Sequence, residues 1–265
     1  VLAYLDESRD VYEFTHPVFI TRSLHIPANY FNADVMRGLL KSYKLKPFTS
    51  LHRLNEKSFR NKNTIQLFDR FATYNGSDPY KTPATLRVIS HLEHNNGAFF
   101  PKKGMSDIAV VLTDLCKRMG IKFYYNSEVD EIMLEDNKIK GLKINNKEEF
   151  YSTNIVSDID IWFLYRNLLK NRPFPEKWFR HQRSTSALIF YWGMNLSTPG
   201  LELHNILFSG DYRSEFRFLF ERKEMPDDPT VYIFISKKVV TGDAPDGCEN
   251  WFVMVNVPQH KGQDW

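Results

Sequence analysis

The sequence has little cysteine. Cys116 and Cys248 are the only two in 265 residues. Neither has a partner at metal-ligand spacing, and such sparse use fits a reducing compartment better than a disulfide-stapled scaffold. Long apolar runs are missing as well, since none reaches the roughly 20 residues that a membrane-spanning helix needs. No signal-peptide pattern opens the chain. Charge of one sign is not in excess: the formal net charge is +3 and no basic block dominates, so a nucleic-acid partner is not expected. Fixed-spacing catalytic signatures are absent too. There is no Walker A loop, no G-x-S-x-G, no H-E-x-x-H and no G-x-G-x-x-G. The chain opens at Val1 in structured-looking sequence and closes at Trp265 just after a strand pattern, so it reads as an internal piece of a longer protein.

What is abundant is aromatic surface. Phe, Tyr and Trp make up 15% of the residues, with 21 Phe and 13 Tyr. That points to a large apolar cavity or interface, or to an aromatic core. The length allows one large domain or two smaller ones, and 42% hydrophobic residues suffice for a substantial core.

Periodicity divides the chain into three stretches. Residues 1–60 read mostly helical; "VMRGLLKSYKL" has helical spacing at Val35, Leu39, Leu40 and Tyr43, with Asn32 or Asp34 as cap and Pro47 as stop. "NTIQLFDRFATY" predicts another helix with Leu67, Phe68 and Phe71 on one face, and "TPATLRVISHLEH" a further one with Pro83 in its first turn. Around Gly104 the pattern changes to turn, amphipathic helix, strand, turn and strand, with Gly120 placed to end the helix and turns at Asp136-Asn137 and Asn145-Asn146. Residues 160–183 look helical. Beyond Ser184 the chain is strand-rich, in "SALIFYWGMN", "NILFS", "TVYIFISKKV" and "NWFVMVNVP", interrupted by a helix at "YRSEFRFLFERK". Helices and strands mix without a regular βαβ repeat, so the expected fold class is α+β, a mixed α/β arrangement.

Single residues carry little. His91 and His94 lie three apart, but no further ligand sits at metal-site spacing, and no metal is expected. Glu128, Asp130 and Glu131 read as a solvated strand edge, and Cys116 as a core residue of its helix.

Longer strings carry more. "ATYNGSDPYKTPATL" is followed by "NGAFFPKKGMSDIAVVLTDLCKRMGIKFYYNSEVDEI", then "IVSDID", "YRNLL", "HNILFSGDYRSEF" and "PDGCENWFVMVNVP". In this order they resemble the carotenoid desaturases, the phytoene-dehydrogenase-like flavoproteins, along essentially the whole chain; the first run is most similar to the hydroxycarotenoid 3,4-desaturase branch. The resemblance implies the central part of a glutathione-reductase-like or amine-oxidase-like flavoprotein. Residues 1–100 and 160–265 would build a substrate domain, and residues 101–159 a returning segment of the FAD domain. It implies FAD as cofactor, an acyclic C40 carotenoid as substrate, oxygen or a quinone as electron acceptor, and a cytoplasmic enzyme attached peripherally to a membrane surface. These residues alone would be inactive. A related isomerase or saturase of carotenoids or retinoids, or a non-catalytic lipid-binding module, stays open.

Site residues follow position by position. Lys102, Gly104 and Met105 match a P-x-G-G-M loop at the cofactor, with Lys103 where the first glycine is usual. Val129 matches a valine at the adenine end of FAD. Ser157 and Asp158 match S-N-A-D, with Asp158 in place of asparagine. For the substrate, Arg22 is a polar candidate, and Phe71, Tyr74 and Tyr80 are a candidate aromatic tunnel wall held by the Gly76–Pro79 turn; core packing behind that turn is the competing reading. No catalytic residue is assigned. The Tyr30–Phe48 stretch, with Phe31, Val35, Met36, Leu39, Leu40, Arg37, Lys41, Lys44 and Lys46, has the composition of an interfacial membrane patch.

Overall fold

The structure is a computed structural model that describes all residues except 24, 32–34, 36–37, 39–41, 171, 181, 261 and 264–265. Its main elements are α1 (Leu2–Phe19), α2 (Leu51–Ser58), α3 (Lys62–Asp69), α4 (Ser106–Arg118), β1 (Val129–Glu135), β2 (Lys138–Ile144), β3 (Glu148–Tyr151), β4 (Ser186–Met194), β5 (His204–Leu207), α5 (Tyr212–Arg217), β6 (Val231–Phe234) and β7 (Glu249–Val257), joined by short 3-10 and π turns. They form a mixed α/β architecture with two antiparallel sheets. Two compact units result. One combines residues 1–107 with 183–265; the other is 108–182.

In the first unit, Ser50 caps α2 by accepting from Arg53 N, and Asn61 caps α3 by accepting from Asn63 N and Thr64 N. Each cap satisfies backbone donors that a helix start leaves unpaired. Past Asp69 the chain tightens into a 3-10 turn, Arg70–Asn75, which ends at Gly76 with φ 62° and ψ 34°. A left-handed residue stops the helix where a side chain would be strained. The shift from α to 3-10 changes the faces: Phe68 and Phe71 are buried while Leu67 is exposed, so the single apolar face expected for "NTIQLFDRFATY" is split.

Tyr4, Leu51, Leu54, Phe59, Phe68, Phe71, Ala72 and Ala84 form the helical core. A polar chain runs through it. Tyr4 Oη donates to Asn55 Oδ1 and Asn55 Nδ2 to Asp69 Oδ1, each at 2.8 Å, while His52 Nδ1 meets Asp69 Oδ2 at 2.6 Å. This ties α1, α2 and α3 together, and pairing is what makes burial of such groups tolerable.

The four-stranded sheet of this unit has the order β4-β7-β6-β5. One face carries Ile233, Ile235 and Val253 in a core cluster. The opposite face carries Tyr232, Phe234 and Phe252, because strand side chains alternate.

In the second unit, α4 ends as its sequence predicts, with Gly120 at φ 81° and Ile121 N returning to Cys116 O. β1, β2 and β3 form an antiparallel meander. Asp136-Asn137 and Asn145-Asn146 have positive φ at both positions, the conformation that two-residue hairpin turns require. Residues 121–125 form no strand; among the described strands none pairs with them, and a strand exists only with a neighbour. The described part of 160–183, expected as helix, contains only an α turn at Ile161–Phe163, a π turn at Leu164–Leu168 and a 3-10 turn at Glu176–Phe179. Pro173 and Pro175 break the run.

Of the Tyr30–Phe48 stretch, Met36, Arg37, Leu39, Leu40 and Lys41 lie outside the described residues, as do the cap candidates Asn32 and Asp34. Val35 is buried, Phe31 and Phe48 are exposed, and Lys44 pairs with Asp10 at 2.8 Å. Among the described residues no helix is long and apolar enough to cross a membrane.

Candidate functional site

The aromatic face of the β5–β6–β7 sheet becomes one wall of a cavity of about 570 Å³. That is within the range of small-molecule sites, roughly 300–1,000 Å³. Strand register sets the wall. His204 pairs with Phe234 and Phe234 with Phe252, so the three side chains share a face with Tyr232 two residues along β6. The facing wall comes from a loop. Residues Leu92–Asn96 form a π turn that ends at Gly97 with φ 89°, which delivers Ala98, Phe99 and Phe100 to the cavity. Met105 lines it from the same connection, and Phe100 meets Phe234 with ring centroids 5.7 Å apart. All of these residues belong to the first unit.

One polar pair interrupts this apolar lining. His204 Nδ1 and Tyr232 Oη are 2.7 Å apart, with the two rings stacked at 6.0 Å. His204 is exposed, yet partial desolvation lowers its pKa, with Glu93 opposing the shift and Arg70 adding to it. Burial raises that of Tyr232, with Tyr74 acting the same way. Both groups are therefore neutral near pH 7, a state that suits an apolar pocket.

Beside the pair sits a charged cluster. Tyr74 Oη donates to Glu93, Arg70 approaches Glu93 at 3.5 Å, and its guanidinium lies 5.4 Å from the centroid of the Tyr74 ring. Arg70 Nε is buried and makes no hydrogen bond among the described residues.

The residues singled out in the sequence are spread more widely. Phe71 is 1% exposed and packed in the helical core. Tyr74, 56% exposed, stacks on Phe71 and joins the Arg70–Glu93 cluster. Tyr80 packs against Phe216 and lines a second, smaller cavity of about 360 Å³ with Asp78, Lys81 and Arg213. Arg22 is half-buried. Lys102 is exposed; Gly104 has φ 88° with nothing within 4 Å of where a Cβ would stand. Lys103 does not have positive φ, so its replacement of a glycine brings no left-handed strain. Val129 opens β1, and Ser157 and Asp158 are exposed, all three in the second unit. His91 is buried and bonded to Asn95 at 2.8 Å, and His94 packs on Phe68 and Phe71. His204, Tyr232, Arg70 and Glu93 were not singled out. The legible signal for Tyr232 is the alternation of aliphatic and aromatic residues in "VYIFI".

No protein-family model matches the chain. Its fold is shared with part of an oxidoreductase from Methanosarcina mazei, at a TM-score of 0.59 and 13% identity, over 84% of this chain and 51% of that one. The sequence is 42% identical over 263 residues to 1-hydroxycarotenoid 3,4-desaturase of Flavobacterium sp. (strain P99-3), a match covering 99% of this chain and 53% of the relative. Hydroxyneurosporene desaturase of Rubrivivax gelatinosus matches at 29% identity, over 97% of this chain and 49% of that protein. The chain belongs to the carotenoid desaturase family. It spans about half the length of the curated relatives it matches.

Proposed function

We propose that the protein is a flavin-dependent carotenoid desaturase and that these residues supply its polyene-binding part. The observation that carries the reading is the cavity faced by Phe99, Phe100, Phe234 and Phe252. A polyene is long, flat and almost without polar atoms. Aromatic faces bury such a molecule with little loss of side-chain entropy and leave no polar group unpaired. The family relationship supplies the reaction class, introduction of a double bond into an acyclic carotenoid.

On this reading residues 101–159 belong with the FAD-binding part, and residues 1–100 and 160–265 with the substrate part. Lys102, Gly104, Met105, Val129, Ser157 and Asp158 are the cofactor-side residues, and Arg22, Phe71, Tyr74 and Tyr80 support the substrate side. The residues present fit one edge of a flavin: the backbone at Gly104 is bare, and Met105 offers a polarisable side chain at the cavity. They do not include a pyrophosphate loop, since no G-x-G-x-x-G occurs in the sequence. A bound flavin would supply the two-electron acceptor for a hydride from an allylic carbon, with a proton lost from the neighbouring carbon as the double bond forms. This chain's own contribution is to hold the polyene flat against aromatic rings and to keep water away. Oxygen or a quinone would serve as the final electron acceptor. The substrate partitions into lipid, so the enzyme collects it at a membrane surface, with Tyr30–Phe48 as the candidate contact.

The test uses the full-length protein with an acyclic carotenoid presented in anionic liposomes. A flavin absorbance spectrum, flotation with the vesicles and a product with one more conjugated double bond are expected. A product of unchanged hydrogen content would make the protein an isomerase instead. Absence of flavin would overturn the reading, and turnover without flotation would remove the membrane route alone.

A further inference from the structure

We infer that His204, held by Tyr232, reads a hydroxyl group on the end of the polyene and so sets which carotenoids the enzyme prefers. The inference rests on the desaturase reading and deepens it. Four observations carry it.

The first is chemical contrast. The cavity wall is aromatic or aliphatic except for this pair. A lone hydrogen-bonding group in an apolar cleft orients whatever polar atom the ligand has. The second is the state of the imidazole. Nδ1 is engaged by Tyr232 Oη at 2.7 Å, and among the described residues nothing hydrogen-bonds to Nε2. Engagement of one ring nitrogen fixes the role of the other: if the phenol donates, Nε2 carries the proton and donates; if Nδ1–H donates, Nε2 accepts. A hydroxyl both donates and accepts, so it satisfies either tautomer.

Third, the ring has two aromatic neighbours on the adjacent strand. It stacks on Tyr232 and lies 5.2 Å from Phe234, and its residue pairs with Phe234 across the β5–β6 ladder. A site on paired strands places a donor more accurately than a loop does. Fourth, the pair stays uncharged near neutral pH because partial desolvation and Arg70 disfavour the imidazolium, although His204 itself is exposed. A neutral imidazole binds a neutral alcohol without burying an ion. The two relatives reported above carry hydroxylated carotenoids in their names, which is the substrate chemistry this pair fits.

The experiment compares two acyclic carotenoids, identical but for one terminal hydroxyl, with the full-length flavin-loaded enzyme. The wild type is expected to favour the hydroxylated one in kcat/KM. His204→Phe is expected to lower that preference by about tenfold, the size of one hydrogen bond, through a raised KM for the hydroxylated substrate. His204→Gln keeps a donor and an acceptor and is expected to retain part of the preference, which also covers a folding failure of the Phe variant. Tyr232→Phe frees the imidazole, and a loss of several-fold in the same KM is expected. A wild type without preference, or a preference unchanged in His204→Phe and His204→Gln, would overturn the inference and leave the desaturase reading standing. A wild type that desaturates neither compound would overturn both.

Discussion

Glu249 shows how a buried carboxylate becomes a source of stability. It opens β7 and is 3% exposed. Burial disfavours its charge, but Lys238 Nζ at 2.8 Å, Thr198 N at 2.9 Å, Thr198 Oγ1 at 2.6 Å and Trp251 Nε1 at 2.9 Å outweigh it. The carboxyl is held down at about 2 from an ordinary 4.5. A depressed acid contributes stability that is complete above the unfolded value and lost as the pH falls through the folded one. Glu249→Gln is therefore expected to cost about 3 kcal/mol at pH 7, the size of a broken buried pair. Urea titrations of both proteins at pH 7 and pH 3 check this, and the gap between them should narrow at pH 3. Asp69 and Glu215 run the other way. Burial raises both above the usual carboxylate range despite their hydrogen bonds, so what they contribute is present at low pH and lost as the pH rises through the raised values. A gap that widens toward acid would assign the effect to groups other than Glu249.

At the scale of the element, the turn that ends the 3-10 segment after α3 combines two constraints. Gly76 has φ 62°, and a Cβ there would come within 2.7 Å of Ser184 Cβ and 3.2 Å of Thr185 N. Thr185 N also donates to Gly76 O at 3.1 Å, so retreat would break a hydrogen bond. Gly76→Ala is expected to destabilise by about 1–3 kcal/mol in thermal unfolding. Gly76→Asn, which tolerates the left-handed region but still brings a Cβ, should lose less. An alanine variant as stable as the parent would refute the close approach. The turn dipeptides and the strands of both sheets were legible because local chemistry decides them: Asn and Asp tolerate positive φ, and alternation marks a pleated ladder. The aromatic count suggested a cavity but not where it lies. Phe71, Tyr74 and Tyr80 draw attention by clustering in sequence, whereas Phe100, Tyr232, Phe234 and Phe252 meet only through sheet register and a π turn. The stretch 160–183 misled for a related reason, because its apolar residues keep helical spacing while Pro173 and Pro175 deny it a helix.

At the scale of the whole molecule, two elements show apolar surface that ordinary folding would cover. Strand β4 is an edge of its sheet, and eight of its nine residues are exposed, Leu188, Ile189, Phe190, Tyr191 and Trp192 among them. In the second unit α4 buries no residue, and Val110, Val111, Leu112 and Leu115 are exposed. An unpaired edge presents free backbone donors and acceptors, and when its side chains are apolar it templates pairing with another chain. Contiguous apolar patches of this kind drive association in water unless something else occupies them. These 265 residues, prepared on their own, are therefore expected to enhance the fluorescence of a hydrophobic dye and to associate as concentration rises. Static light scattering over a hundredfold range of concentration measures that association. Ile189→Lys places a charge in the middle of the edge and should suppress it, since a lysine on an edge strand blocks a second strand from docking. Val111→Lys tests α4 in the same way. Dye binding that persists in Ile189→Lys but disappears in Val111→Lys would assign the effect to the helix. A chain that stays monomeric throughout, with no dye response, would show that neither surface is available to a partner.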